Sequence, residues 1–221
     1  MKLFLEAIVK FTLGILIVGL LLFISAGTLN YFNGWLFMGL LFIPMFIAGI
    51  VMMIKSPNLL KSRLNAKEKE SEQKDVVKLS GLMFLVGFII AGLNYRYGWI
   101  ELPNIVVIIG SIIFILAYIM YAEILRENTY LSRTVEVQKD QKVIDTGLYG
   151  IVRHPMYLST ILLFLSMPLI LDSLISFIIF LIYPFIIIKR IKNEEELLEK
   201  NLKGYKEYKN KVKYKLIPFI W

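Results

Sequence analysis

The chain contains no cysteine and a single histidine, His154. Without cysteine there are no disulfides, no thiolate metal sites and no cysteine nucleophile, and no metal is expected as a partner. No glycine-rich dinucleotide fingerprint follows a strand, which excludes a Rossmann-type cofactor fold. Internal repeats and low-complexity segments are also missing. The first apolar run is followed by no small-residue cleavage site and further apolar runs succeed it, so it is read as a retained helix rather than a signal peptide. Charge is scarce for the length: of 221 residues, 57% are hydrophobic and 19% charged. A soluble domain averages nearer 45–50% apolar, so the excess faces lipid. The net charge of +8 follows the membrane in its placement, and no nucleic-acid partner is expected.

What is present is a series of apolar runs of membrane-crossing length. They cover Ala7–Ala26, Trp35–Ile54, Val76–Leu93 and Pro103–Ala122. Tyr31, Phe32 and Trp35, and then Tyr95, Tyr97 and Trp99, suit interfacial belts. The run from Met156 to Ile188 would reach about 50 Å as one helix, well beyond a ~30 Å core. It is therefore read as a helical hairpin turning near Asp172. The expectation is an all-α polytopic integral membrane protein with five to six transmembrane helices, including that hairpin, plus an amphipathic cytoplasmic C-terminal helix. Its parts are a first helix pair (1–54), a charged linker (55–75) read as a solvated connector, a second pair (76–122) and a site-bearing region (123–221). Of the 25 Lys and Arg residues, all but Arg96 fall on one side of these crossings. By the positive-inside rule that side, with both termini, is cytoplasmic.

The stretch from Gln138 to Tyr157, QKDQKVIDTGLYGIVRHPMY, organises the rest. A charged loop narrows into a Gly-Leu-Tyr-Gly turn, then presents Arg153, His154 and Pro155 at the edge of an apolar run. Arg and His beside lipid must be paired or solvated and are functional candidates. Pro155 suits the first turn of the next helix and biases His154 out of helical geometry. Farther on, Arg190 and Glu194 stand at i and i+4 on one helix face. Each has an ordinary alternative: Arg153 and Arg190 as headgroup anchors, Glu194–Glu196 as a solvated helix face, Tyr149 and Tyr157 as belt aromatics. Tyr205, Tyr208 and Tyr214 are read as tail packing against the membrane, and Asn128 as a cap at the mouth of the loop.

The run GLYGIVRHPMY, the apolar hairpin, Arg190 with Glu194-Glu195, GYKEYKNKV and LIPFIW together resemble the isoprenylcysteine carboxyl methyltransferase family, with related phospholipid methyltransferases, over roughly residues 125–221. The resemblance implies methyl transfer from S-adenosylmethionine to a lipidic or prenylated acceptor, with membrane lipids as surroundings and a cytoplasm-facing site. Carried over by position, Gln138, Val143, Ile144, Tyr149, Arg153, His154, Pro155, Tyr157 and Glu194 bind the cofactor, with an offset to Glu195 open. Arg190, with Glu194 and His154, takes the catalytic role, Arg190 holding the acceptor. Leu148 departs from the proline of many relatives and should loosen the turn. The residue types suit the ligand: a carboxylate, cationic donors and aromatic faces for a sulfonium, an ammonium and an adenine. A carboxylate acceptor is already ionised at pH 7 and needs no general base; an amine acceptor would need Glu194 or His154 to take its proton. The tail KVKYKLIPFIW also resembles the end of NADPH-using sterol reductases, which leaves a membrane reductase as a further reading.

Overall fold

The computed structural model describes residues 2–65, 71–132, 134–138 and 140–221, with the backbone alone for Ser71 and Glu72. The middle of the expected linker, 66–70, lies outside the described residues. Where water is absent, each backbone N–H and C=O must find its partner within the chain, and a helix does this locally. The apolar runs accordingly become α1 (Lys2–Ala26), α2 (Phe32–Lys55), α4 (Ser71–Tyr97) and α5 (Asn104–Glu127). Between α2 and α4 lies the short α3 (Pro57–Leu64), and after α5 a long loop leads to α6 (Pro155–Ile170). Then come α7 (Leu174–Phe180), α8 (Tyr183–Asn201) and α9 (Tyr205–Lys211). The described residues are all-helical, and five helical segments are long and apolar enough to cross a membrane, α7 and α8 counting as one. The protein is a multi-pass membrane protein.

The hairpin expected at Asp172 is present: α6 and the α7–α8 arm are joined through Leu171, Asp172 and Ser173. This far end is tied by named bonds rather than by a tight turn alone. The Tyr31 hydroxyl donates to Leu171 O at 2.6 Å and the Asn94 amide to Asp172 O at 2.9 Å. The Asp172 carboxylate accepts from the Leu102 amide at 2.6 Å. One expectation is corrected. The linker is not simply solvated, because Pro57 opens α3 at a helix N-terminus, where its missing N–H costs nothing, and Leu59 and Leu60 are buried. The charged tail is helical as expected: α8 carries it on without a break to Asn201, and the short α9 follows.

One apolar core runs through α1, α2, α4 and α5–α8, and the chain end returns Leu216 to it. Lipid is as apolar as leucine, so helices associate in it by close packing of small residues and by interhelical hydrogen bonds. Both devices appear. Ser159 Oγ donates to Ala117 O at 2.9 Å across α5 and α6, and Ser176 Oγ to Gly87 O at 2.9 Å across α4 and α7. Gly92 on α4 lies against the backbone of α1: a Cβ there would sit 2.6 Å from Leu22 O and 2.9 Å from Ala26 N. Backbone atoms cannot swing aside as a side-chain tip can. Gly92→Ala is therefore expected to separate α1 from α4 and destabilise the protein by about 1–3 kcal/mol. Gly81→Ala, where a Cβ meets nothing within 4 Å, is the matched control. Thermal unfolding in detergent checks the pair, and equal midpoints for the two variants would refute the close-packing account.

Candidate functional site

The charged end of the bundle holds a cavity of about 90 Å³. Its walls come from the α5–α6 loop, the first turn of α6, the charged half of α8 and α9. The loop is shaped by glycine at one decisive point. Gly147 has φ of 50°, and a Cβ on it would fall 2.3 Å from Glu127 Oε1. Only glycine lets the carboxylate at the end of α5 tuck under the turn, where Thr146 Oγ1 donates to it at 2.8 Å. Leu148 does not loosen the turn. Gly147–Gly150 is a closed 3-10 turn, with the Gly150 amide on Thr146 O at 3.1 Å and the Ile151 amide on Leu148 O at 3.2 Å.

Beyond the turn, the two glutamates on α8 part company. Successive helical residues are about 100° apart, so neighbouring carboxylates face different surroundings. Glu195 turns into the protein with a side chain only 6% exposed. It accepts from Arg153 Nε at 2.7 Å, lies 3.2 Å from His154 Nε2 and 3.3 Å from Lys215 Nζ. Arg153 spends its remaining reach on the tail, donating from Nη1 to Val212 O at 2.7 Å and Lys213 O at 2.8 Å. The backbone repeats the bond: the Arg153 and His154 amides donate to Tyr214 O at 2.9 Å and Lys215 O at 2.8 Å. Glu194 instead lines the cavity and accepts from the Tyr157 hydroxyl. That hydroxyl in turn accepts from Arg190 Nε at 2.9 Å, and the Arg190 guanidinium lies 5.9 Å from the Tyr157 ring centroid. Arg190, Tyr157 and Glu194 form one chain of hydrogen bonds along the cavity.

Of the residues singled out by sequence, Val143, Ile144, Tyr149, Arg153, His154, Tyr157, Arg190 and Glu194 all line this cavity. Two do not. The Gln138 amide braces its own loop by donating to Tyr130 O at 2.7 Å, and buried Pro155 opens α6 and so sets the angle at which His154 enters. Asn128, read as a cap, does take the C-cap place of α5 and lines the cavity as well. Tyr205 and Tyr208 are a further correction. They are buried and line the cavity, packed with Leu202 and Val212 against Val143 and Leu198, rather than lying on the membrane. The Tyr208 hydroxyl donates to Tyr149 O at 2.8 Å. Their three-residue spacing reads as an amphipathic stripe, and no sequence signal separates a stripe against lipid from one against a loop. Ser132, Thr134 and Glu136, also in the wall, are bonded in series: Ser132 Oγ lies 3.0 Å from Thr134 Oγ1, which is 3.2 Å from Glu136 Oε1.

The cavity has the chemistry of a polar organic ligand site. The Tyr149 hydroxyl, with Asn128 nearby, and the Tyr205 hydroxyl are buried without a hydrogen bond of ordinary geometry. Burial pushes both phenols well above their ordinary pKa, so they stay neutral donors. Orphaned buried hydroxyls are costly unless a ligand satisfies them. Glu194 adds a carboxylate, and Val143, Ile144, Leu198 and Leu202 an apolar face. At about 90 Å³ the cavity is smaller than the ~300 Å³ typical of small-molecule pockets, and it is not sealed from its surroundings. The tail is fastened by Glu195, and outside it by Lys211 on Asp145 at 2.7 Å, which holds the Asp145 carboxyl below its ordinary range. Glu195→Ala would leave Arg153 buried without its counter-charge, a loss of about 3–5 kcal/mol. The expected result is release of the tail after Asn201, read as faster proteolysis there than in a control at the exposed Glu196, Glu196→Ala. An unchanged cleavage pattern would show that Glu195 does not hold the tail.

Comparison with known proteins fits this end of the molecule. Residues 106–200 match the isoprenylcysteine carboxyl methyltransferase (ICMT) family. A Delta(14)-sterol reductase, TM7SF2 of Mus musculus, is 28% identical over 91 residues, 40% of this chain and 22% of the reductase. The chain thus spans about a fifth of the length of that curated relative. The family match covers nearly all of α5, the loop, the Arg-His-Pro turn, the hairpin and Arg190 with Glu194 and Glu195. It bears out the resemblance drawn from the loop and hairpin, which to this extent is a match over residues 106–200.

Proposed function

We propose that the protein is an integral membrane methyltransferase that uses S-adenosylmethionine to methylate a lipidic acceptor, most simply a carboxylate on an isoprenylcysteine-like or other hydrophobic molecule. The observation that carries this reading is the Arg190–Tyr157–Glu194 chain at a cavity that also holds two unsatisfied tyrosine hydroxyls. Glu194, Tyr149 and Tyr205 would hold the polar groups of the cofactor, with Val143, Ile144 and Leu198 against its adenine. When bound, it supplies an activated methyl group on a sulfonium.

The chain's own residues then have defined tasks. Tyr157 donates to Glu194 and accepts from Arg190, so it fixes the orientation of both. The planar Arg190 guanidinium suits a carboxylate acceptor, which it can hold by paired donors. That acceptor arrives ionised, and the chain needs no base to deprotonate it. Positioning and exclusion of water are enough for an in-line displacement. For an amine acceptor, Glu194 or His154 would have to take the proton, and their contacts with Tyr157 and Glu195 disfavour that. The charge asymmetry supports a cytoplasmic position for this end of the bundle and both termini.

Calorimetry on detergent-purified protein tests the reading. Micromolar S-adenosylmethionine binding is expected for the wild type, weakened at least about tenfold in Glu194→Ala by loss of a charged hydrogen-bond partner. Arg190→Lys should keep cofactor affinity and lower turnover of a lipidic carboxylate by about a hundredfold, since a point charge cannot reproduce the fork. The sterol reductase likeness defines the opposing result. NADPH binding without S-adenosylmethionine binding would overturn the methyltransferase reading.

A further inference from the structure

The tail returns to the bundle beside the first turn of α6 and leaves a small apolar turn projecting from it. The Arg153 and His154 amides hold Tyr214 O and Lys215 O, so these two residues lie level with Pro155, where α6 begins. Leu216 then enters the transmembrane core, and Trp221 packs against the same core. Between them the backbone closes on itself. The amides of Lys215, Leu216 and Ile217 all donate to Trp221 O, at 3.0, 2.9 and 3.0 Å, and the Ile220 amide donates to Ile217 O at 3.2 Å. With both ends held inward, the middle of the turn stands out: Ile217, Phe219 and Ile220 are 39%, 86% and 77% exposed. Phe219 has φ of 65°, a left-handed conformation that is costly for a bulky L-residue. A large apolar ring is thus held outward against local preference, beside the mouth of a transmembrane helix.

We propose that the Ile217–Ile220 turn is a membrane-insertion wedge whose partner is an anionic lipid surface, and that it seats the tail on the bilayer. Scattered exposed apolar residues need no explanation, but three within four consecutive positions make a patch. The level of the turn supplies the partner. α6 has 16 residues and reaches about 24 Å, short of a ~30 Å hydrocarbon core. Its far end stops at the polar cap where Asp172 accepts from the Leu102 amide, so the shortfall lies at the Pro155 end, beside the turn. Charge points the same way. From Leu202 to Trp221 the chain carries six lysines and one acidic residue, Glu207. Lys203, Lys206, Lys211 and Lys213 are exposed, and Lys215 Nζ lies 5.2 Å from the Trp221 ring centroid. Apolar side chains dipping below headgroups, with lysines reaching up to phosphates, are how such elements hold a membrane. The same tail carries Tyr205 and Tyr208 into the cavity wall, so lipid contact helps to keep that wall in place. The inference needs no particular ligand in the cavity.

Because the chain has no cysteine, a single introduced cysteine can be spin-labelled without background. The test uses full-length protein in nanodiscs of phosphatidylcholine with phosphatidylglycerol, labelled at Phe219→Cys or Ile220→Cys. Ile119→Cys, exposed on α5, is the lipid reference, and Lys206→Cys, exposed on α9, the water reference. Collisions with oxygen, which concentrates in hydrocarbon, are compared with collisions with a water-soluble nickel chelate. Labels at 219 and 220 should resemble Ile119→Cys. Resemblance to Lys206→Cys overturns the proposal and leaves the turn to a protein partner. The second readout is amide exchange over residues 212–221 in the same nanodiscs. It should quicken roughly tenfold in the double variant Phe219→Ser with Ile220→Ser, which loses the lipid contact of two large apolar side chains. Phe219→Leu, still apolar, should stay near the wild type, and exchange in α5 should be the same in all three proteins. Unchanged exchange over 212–221 in the double variant would also overturn the proposal, since the tail would then be seated without the wedge.

Discussion

Glu195 is a carboxylate removed from water and met by Arg153, His154 and Lys215. Each of these groups would be expensive to bury alone, because desolvation of a charge is recovered only through close partners and hydrogen bonds. Together they compel three distant parts of the chain to meet: the Arg-His-Pro turn before α6, the middle of α8 and the returning tail. Once Arg153 is held, its Nη1 gathers Val212 O and Lys213 O, and the backbone amides of Arg153 and His154 capture Tyr214 O and Lys215 O. The tail can then deliver Leu216 into the membrane core. It also sets α9 against the loop, which brings Tyr205 and Tyr208 into the cavity wall. The cavity exists because the tail is anchored, and the tail is anchored because one glutamate is buried.

The same cluster explains how two adjacent glutamates serve different ends. A helix turns about 100° per residue, so Glu195 facing the turn leaves Glu194 facing the cavity. Glu195 is surrounded by cations and is committed to structure. Glu194 has a phenol as its protein partner and keeps acceptor capacity for something else. His154 follows the same logic. Its Nε2 faces Glu195, which orients the ring against Tyr157, with centroids 5.7 Å apart. The imidazole is part of the frame that presents Tyr157, and Tyr157 is the group that meets both Glu194 and Arg190.

The membrane spans were legible because lipid imposes a length and forbids charge, and both constraints leave marks in a single sequence. The hairpin was legible for the same reason: no straight helix of that length fits a bilayer. The cavity-lining loop and α8 residues were found through a motif, yet their division of labour was hidden. Arg153 reads as a ligand-binding cation, but its bonds run to Glu195 and to tail carbonyls from a part of the chain that sequence does not show to be near. Gln138 reads as a cofactor contact, but it braces Tyr130. α3 stayed invisible because PNLLKSRL is short and sits in a charged stretch, so two buried leucines are too few to show a period. What sequence conveyed well was burial in lipid. What it could not convey was which polar side chain spends its hydrogen bonds on the protein, since that depends on tertiary return of the tail.

A small cavity with two fastened walls raises the question of which wall yields to a ligand. The tail wall is held by a buried ion cluster, and breaking one partner of such a cluster costs about 3–5 kcal/mol. Among the described residues, the bonds of the loop wall to its surroundings include Arg63 on Ser132 O, Thr146 on Glu127, Tyr208 on Tyr149 O and Lys211 on Asp145. Single bonds of this kind contribute about 1–3 kcal/mol each when charged, and less when neighbouring water can replace them. Arg63 is half-buried and close to water, so its contact is the cheaper one to open. The loop near Ser132 is thus less firmly held than the tail, whose ion cluster keeps Glu194, Tyr157 and Arg190 in place. Entry from the loop side leaves the lipid-facing flank of α6 and α8 undisturbed. On the methyltransferase reading proposed above, a hydrophobic acceptor would approach along that flank and a polar cofactor from water, so the two would not need the same door.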